Sequence, residues 1–181
     1  VFDNGGEEGT DVLKHAVAGL MHTMADSMLT FAPHMNSYRR FMVGAHAPTC
    51  ASWGYENRTV AIRIPESPPI ARRIEHRVAG ADANPYLALS AALASGIAGI
   101  EHGLEPEPAI SGNAYDQPLP ETLALPKSLE QAVALYRHSK VAQQYFGEDF
   151  VSHFAATRDW EIREFRRHVS DWELQRYFEI I

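Results

Sequence analysis

Leu13, Val17, Leu20, Met24 and Met28 recur at steps of three and four residues, a spacing that places them on one face of a helix from about Thr10 to Leu29. The next stretch, FAPHMNSYRRFMVGAHAPTC from Phe31 to Cys50, keeps no sustained period and is punctuated by Pro, Gly and Asn, so it reads as an ordered loop. Two extended candidates follow, WGYENRTVAIRIP and ARRIEHRVA, separated by ESPPI, whose prolines forbid a continuous ladder. In NPYLALSAALASGIAGIEHGL, Asn84 suits an N-cap and Pro85 the first helical position, and the small side chains predict a buried helix with close approach at Gly96 and Gly99. A Pro-rich connection covers 103–127. Ser128 with Gln131 opens a helix to about Tyr145, Trp160 to Val169 forms another, and Ser170 with Glu173 opens the last. Trp160 and Trp172 read as packing residues on these final helices.

Composition adds limits. A chain of 181 residues, 45% hydrophobic and 10% aromatic, is long enough for one domain with a real core. The lone Cys50 excludes an internal disulfide framework, and no secretory signal opens the chain, which points to a reduced, cytoplasmic setting. The run from Tyr86 to Ile100 is too short and too rich in Ala, Ser and Gly to span a membrane. A formal net charge of −7 argues against non-specific nucleic-acid binding. The abrupt start on a Gly-rich loop suggests a fragment of something longer.

Against that acidic balance, RRIEHR stands out. In an extended segment Arg73, Glu75 and Arg77 share one face, roughly 7 Å apart, while Ile74, His76 and Val78 share the other. In the neighbouring candidate, Val60, Ile62 and Ile64 oppose Thr59, Ala61 and Arg63. Pairing the apolar faces would gather Arg63, Arg73, Glu75 and Arg77 on one surface. Exposed ion pairs contribute only about 0 to 1 kcal/mol, so stability alone explains such a cluster poorly. Guanidinium groups suit phosphate and carboxylate, and a carboxylate among them suits Mg²⁺ or Mn²⁺. A solvated, salt-bridged strand face accounts for the same spacing equally well.

NSYRRF, NRTVAIRIP, RRIEHR and ANPYLALSAALASGIAGI, in this order, resemble the C-terminal part of the glutamine synthetase catalytic domain. VFDNGGEEGTDVLKHAVAGLMH and WELQRYFEII extend the likeness through residues 1–181. The resemblance implies an α+β fold, a curved antiparallel sheet with helices packed on its outer side, lacking the β-grasp domain and the first half of the catalytic domain. It also implies an ATP-dependent ligase, with Mg²⁺ or Mn²⁺, that joins glutamate to ammonia or an amine through γ-glutamyl phosphate in a ring-forming homo-oligomer. On the matching positions Arg40 and Arg77 would contact glutamate, Arg58 glutamate and the transferring phosphate, Arg63 and Arg73 ATP, and Glu75 a metal ion. The isolated chain would be inactive.

Three positions depart from that pattern. Where ammonia-using members carry Glu before Ala-Pro, this chain has His46, which implies an acceptor other than ammonia, such as a polyamine or ethanolamine, with His46 as a general base or a passive loop residue. Ile70 replaces a Lys found near the nucleotide in some members. Tyr115 falls near a tyrosine that some bacterial members adenylylate, but its flanks differ. His15, His22, His34, His76 and His102 show no metal-ligand spacing. The rival readings are a guanidino-kinase-like phosphotransferase, disfavoured because Cys50 lacks a reactive context, and a detached domain that catalyses nothing.

Overall fold

The computed structural model describes residues 1–45 and 47–180. Helix α1 spans Asp11–Phe31, and its start is fixed by Thr10, whose Oγ1 accepts the Leu13 N–H at 3.2 Å. The helical spacing seen in the sequence is the reason α1 sits at the centre: Leu13, Val17, Met24, Met28 and Phe31 are all essentially buried. A 3₁₀ turn over Met35–Arg40 follows, occupying part of the expected loop.

The sheet has three short strands in the order β1 (Trp53–Tyr55), β2 (Ile62–Ile64), β3 (Glu75–His76). The expectation of an all-antiparallel sheet fails here: β1 and β2 run parallel, and only β2 and β3 are antiparallel. The cause lies inside WGYENRTVAIRIP, which is two strands rather than one. Glu56 takes a positive φ of 49°, and Asn57 Oδ1 accepts the Thr59 N–H at 2.9 Å, so the chain turns out of β1 before re-entering beside it. Asn57 Nδ2 anchors that excursion to the carbonyls of Ile110 and Gly112, at 3.0 and 2.8 Å. Val60 is consequently drawn into a small separate core with Ile110 and Ala114, away from Ile62 and Ile64.

Ile62 and Ile64 point into the main core, while Arg63 between them does not. The Pro-rich connection covers the open side of β1: the Ile110 N–H donates to the Trp53 carbonyl at 2.8 Å, and Trp53 Nε1 donates to the Glu107 carbonyl at 2.6 Å.

Helix α2 (Pro85–Glu101) is capped by Asn84, whose Oδ1 accepts the Tyr86 N–H at 2.9 Å. Its close approach is to α1. A Cβ on Gly99 would lie 2.1 Å from the His15 carbonyl oxygen, and one on Gly19 2.1 Å from that of Ser95, so the two backbones touch where these glycines cross. Gly96 meets only the Ala16 side chain, at an ordinary distance. Contrary to the buried-helix expectation, α2 buries just its small-residue face; Tyr86, Leu89 and Leu93 are exposed.

The expected helix from Ser128 is broken into α3 (Leu129–His138) and α4 (Lys140–Phe146). Ser139, fully buried, ends one and caps the other, its Oγ accepting the Ala142 N–H at 3.2 Å. Helix α5 (Glu148–Arg167) begins well before Trp160, because Val151 and Ala155 already face the core. Helix α6 (Asp171–Tyr177) has the expected Ser170–Glu173 capping box. Trp160 and Trp172, expected to pack inside, are both more than half exposed, at 55% and 62%. Trp172 meets the Tyr177 ring edge-on within its own helix, which itself buries nothing.

Candidate functional site

The register that pairs Arg63 with Glu75 across β2 and β3 builds the charged face. Because side chains alternate along each strand, that register puts both on the side away from Ile62 and Ile64. Arg63 Nη1 donates to Glu75 Oε2 at 3.1 Å, and Arg77 Nε lies 3.3 Å from Glu75 Oε1, so each carboxylate oxygen faces one guanidinium. Arg63 also donates through Nη2 to Glu56 Oε2 at 2.9 Å. The result is an alternating row, Glu56, Arg63, Glu75, Arg77.

Glu56 is a member of this row that sequence reasoning missed. Its carboxylate accepts the Glu66 N–H as well as the Arg63 guanidinium, and these bonds hold its acidity above that of an ordinary glutamic acid, in that order of importance. The Glu56 carboxylate in turn raises the Arg63 pKa. Nothing local marks Glu56 in GYENRT; it matters because the turn at positive φ swings it back over β2.

The other predicted arginines are arranged differently. Arg77 donates through Nη1 to the Val60 carbonyl at 3.1 Å and to the Arg58 carbonyl, fastening the segment that carries Arg58. The Arg58 side chain is exposed and, among the described residues, makes no hydrogen bond or ion pair. Arg73 is exposed too, and among the described residues its guanidinium bonds only to the Ala71 carbonyl, at 3.3 Å, so it does not join Arg63, Glu75 and Arg77 as expected. Strand β3 begins only at Glu75, and the extended alternation assumed for Arg73 does not reach it.

Arg40 reaches the row's edge from the 3₁₀ turn. It donates through Nη2 to the Val78 carbonyl and stacks 4.3 Å above the Phe41 ring. Burial lowers its pKa, and Asp82 partly offsets that effect. Arg40 lines a cleft of about 430 Å³ with Ser37, Gly80 and Asp82. Ser37 Oγ donates to Asp82 Oδ2 at 2.5 Å, tying the turn to the loop before α2. Gly80 leaves the space: a Cβ there would fall 2.2 Å from Asp82 Oδ1. On the other side of the row, Glu56 opens onto a larger cavity of about 560 Å³ shared with Tyr55, Pro65, Ser67 and Arg72.

His46 lies outside the described residues. Ile70 is almost completely exposed. Tyr115 donates its hydroxyl to the Ala47 carbonyl at 2.8 Å, a structural bond to the segment following His46. His76 packs its ring 4.3 Å from Phe31, and its buried Nε2 has no hydrogen-bond partner among the described residues; burial, with Arg40 nearby, pushes its pKa down to about 4.

Among the described residues, no three His, Cys, Asp or Glu side chains gather as a metal cage. Glu75 supplies one partly exposed carboxylate, set between the Arg63 and Arg77 guanidiniums. That suits a hard divalent ion held mainly by phosphate oxygens and water, which needs one or two protein carboxylates.

A sequence model described as glutamine synthetase, catalytic domain, matches residues 1–177. Type-1 glutamine synthetase 2 of Dictyostelium discoideum is 44% identical over 95% of this chain and 33% of its own length. Glutamate–isopropylamine ligase of a Pseudomonas species is 39% identical over 100% of this chain and 40% of its own. The solved structure of GmaS without ligand superimposes with a TM-score of 0.84 at 27% identity, covering 98% of this chain and 41% of that one. The GmaS complex with ADP gives 0.82 at 26% identity. The chain therefore belongs to the glutamine synthetase family, in the part of the fold that forms the catalytic domain. It spans between a third and two-fifths of the length of these curated relatives.

Proposed function

We propose that this chain is the C-terminal part of the catalytic domain of an ATP-dependent ligase that joins glutamate to an amine through γ-glutamyl phosphate. The observation that carries the reading is the row Glu56, Arg63, Glu75, Arg77, in which the β2–β3 register fixes two guanidiniums on one carboxylate. Phosphoryl transfer asks of a protein chiefly positioning and charge neutralisation, and preoriented arginines provide both without reorganising during the reaction. Arg63 and Arg73 take the nucleotide, Arg40 and Arg77 the glutamate, and the free guanidinium of Arg58 takes glutamate and the phosphoryl group in transit. Glu75 contributes to holding Mg²⁺ or Mn²⁺, which when bound neutralises phosphate charge. The ADP bound by GmaS supports a nucleotide site in this fold.

The amine is the finer part of the reading. His46 stands where ammonia-using members carry a carboxylate, and an imidazole attracts ammonium less well but can accept a proton from an amine. The names of relatives that ligate isopropylamine, ethanolamine and putrescine support an acceptor larger than ammonia. As in the resemblance, the complete enzyme would be a cytoplasmic ring-forming homo-oligomer, and the 181 residues alone would not turn over. Neither the fold nor its relatives favour the guanidino-kinase-like alternative. Among the described residues no helix is long and apolar enough to cross a membrane.

The test is Arg58→Ala in the complete polypeptide that carries this sequence, followed by coupled ADP release. Turnover falls by at least a hundredfold with the fold intact if Arg58 meets the phosphoryl group; an unchanged rate contradicts the assignment.

A further inference from the structure

Arg58 presents an exposed side chain, without a hydrogen bond or ion pair among the described residues, from a backbone that is held on both flanks. Asn57 precedes it. Its Nδ2 donates to the Ile110 carbonyl at 3.0 Å and to the Gly112 carbonyl at 2.8 Å, while its Oδ1 accepts the Thr59 N–H at 2.9 Å and the Thr59 hydroxyl at 2.6 Å. Both amide hydrogens and both oxygen lone pairs are thus engaged, the full capacity of an asparagine side chain. Thr59 follows, and its Oγ1 in turn accepts the Ala114 N–H at 2.9 Å. From just beyond β3, the Arg77 guanidinium completes the hold by donating to the carbonyls of Arg58 and Val60. The chain leaves room for this lock at Gly54 in β1, where a Cβ would fall 2.6 Å from the Ile110 carbonyl oxygen that the Asn57 amide binds. Val60, Ile110 and Ala114 bury one another beside it, so the two segments are joined by apolar contact as well as by hydrogen bonds.

A turn needs much less than this. The bond from Asn57 Oδ1 to the Thr59 N–H closes it unaided, as the side chain of an Asx turn does. The bonds to Ile110, Gly112 and Ala114 reach residues 53 to 55 positions away, and the Thr59 hydroxyl ties the two neighbours of Arg58 to each other across it. We propose that Asn57 and Thr59 are positioning residues, which fasten the Arg58 backbone to residues 110–114 so that its guanidinium is held where the phosphoryl group passes. The proposal rests on the role given to Arg58 above. A cation that stabilises a transition state acts only from a fixed place, and a displacement of about 1 Å costs on the order of a hundredfold in rate. Arg63 and Glu75 are fixed by the β2–β3 register. Arg58 lies between β1 and β2, outside both, and among the described residues Asn57, Thr59 and Arg77 supply the side-chain bonds that fix its segment.

The experiment measures kcat and the KM values for ATP and glutamate in the complete polypeptide, well below the melting temperature of each variant. The variants are Asn57→Ala, Thr59→Val, Thr59→Ser, Arg58→Ala and the double variant Asn57→Ala with Arg58→Ala. Asn57→Ala and Thr59→Val are expected to lower kcat about tenfold or more while the KM for ATP stays unchanged, because Arg63 keeps its place in the strand register. Thr59→Ser keeps the hydroxyl and is expected to restore most of what Thr59→Val loses. In the Arg58→Ala background the Asn57 substitution adds less than about twofold, since no guanidinium is left to position. An Arg58→Ala enzyme that turns over normally overturns the assignment of Arg58 and the positioning role with it. An impaired Arg58→Ala beside a normal Asn57→Ala overturns the positioning role alone, as does a loss from Asn57→Ala that persists in full without Arg58. If Asn57→Ala does not fold, the two Thr59 variants decide: equal activity in Thr59→Val and Thr59→Ser overturns the proposal, and a deficit confined to Thr59→Val supports it.

Discussion

Arg63 stands directly across from Glu75 in the β2–β3 register and donates to it at 3.1 Å, while Arg77 closes on the other carboxylate oxygen at 3.3 Å. A partly exposed ion pair of this sort stabilises a fold by about 0 to 1 kcal/mol, so its removal is a functional rather than a structural perturbation. Glu75→Gln in the complete polypeptide is expected to leave the melting temperature within a few degrees and to reduce amine-dependent ADP release by at least a hundredfold. A variant that melts normally and turns over normally would show the row to be surface decoration.

The crossing of α1 and α2 leads to the opposite kind of prediction. A methyl group at Gly99 would sit 2.1 Å from the His15 carbonyl oxygen, and the obstacle is backbone that cannot rotate away. Gly99→Ala should therefore force the helices apart and destabilise the chain by about 3 kcal/mol, whereas Gly96→Ala, with only the Ala16 side chain nearby at 3.8 Å, should be neutral or slightly stabilising. Urea midpoints of the two variants measure the contrast.

These two regions also show what the chain discloses before any coordinates. The helical period of Leu13 to Met28, the Asn84–Pro85 start of α2 and the Ser170 capping box follow from local spacing and hydrogen-bonding capacity, and each appears where expected. The alternation that placed Arg63 and Glu75 on a common face is equally local, and the register bears it out. What local pattern does not reveal is tertiary. The turn at Glu56 makes one apparent strand into a parallel pair, Ser139 breaks one apparent helix in two, and Arg73 falls just before the strand whose alternation it was assumed to follow. Glu56 joined the site by that same turn, which no motif announces. The apolarity of α2 was visible, but a run of small and large side chains does not say which face is covered.

His76 gives the fold a pH dependence with a definite sign. Burial against Phe31, with Arg40 nearby, lowers its pKa from the ordinary 6.5 to about 4, so between those values the unfolded chain binds a proton that the folded chain refuses. Its contribution is complete above pH 6.5 and declines as the pH falls toward 4, by an amount on the order of 1 to 3 kcal/mol. The carboxylates of Glu8, Glu56, Glu130 and Glu173, whose pKa values are lowered from 4.5, begin to lose their contributions only as the pH falls through about 4.5, and Asp26, whose pKa burial raises, acts in the opposite sense, so the part of the slope between pH 6.5 and 5 that His76→Leu removes is the histidine's. The wild-type urea midpoint should fall across that interval, and His76→Leu should flatten the profile. A slope unchanged by the substitution would assign the effect elsewhere.

The most direct measurement is phosphate release by the complete polypeptide in the presence of ATP, Mg²⁺ and glutamate, with ammonia, ethanolamine, isopropylamine and putrescine supplied in turn. A rate that depends on both glutamate and an organic amine, and exceeds the rate with ammonia, is the predicted result. Release that is indifferent to glutamate and to every amine would contradict the ligase, and preference for ammonia would contradict the role assigned to His46.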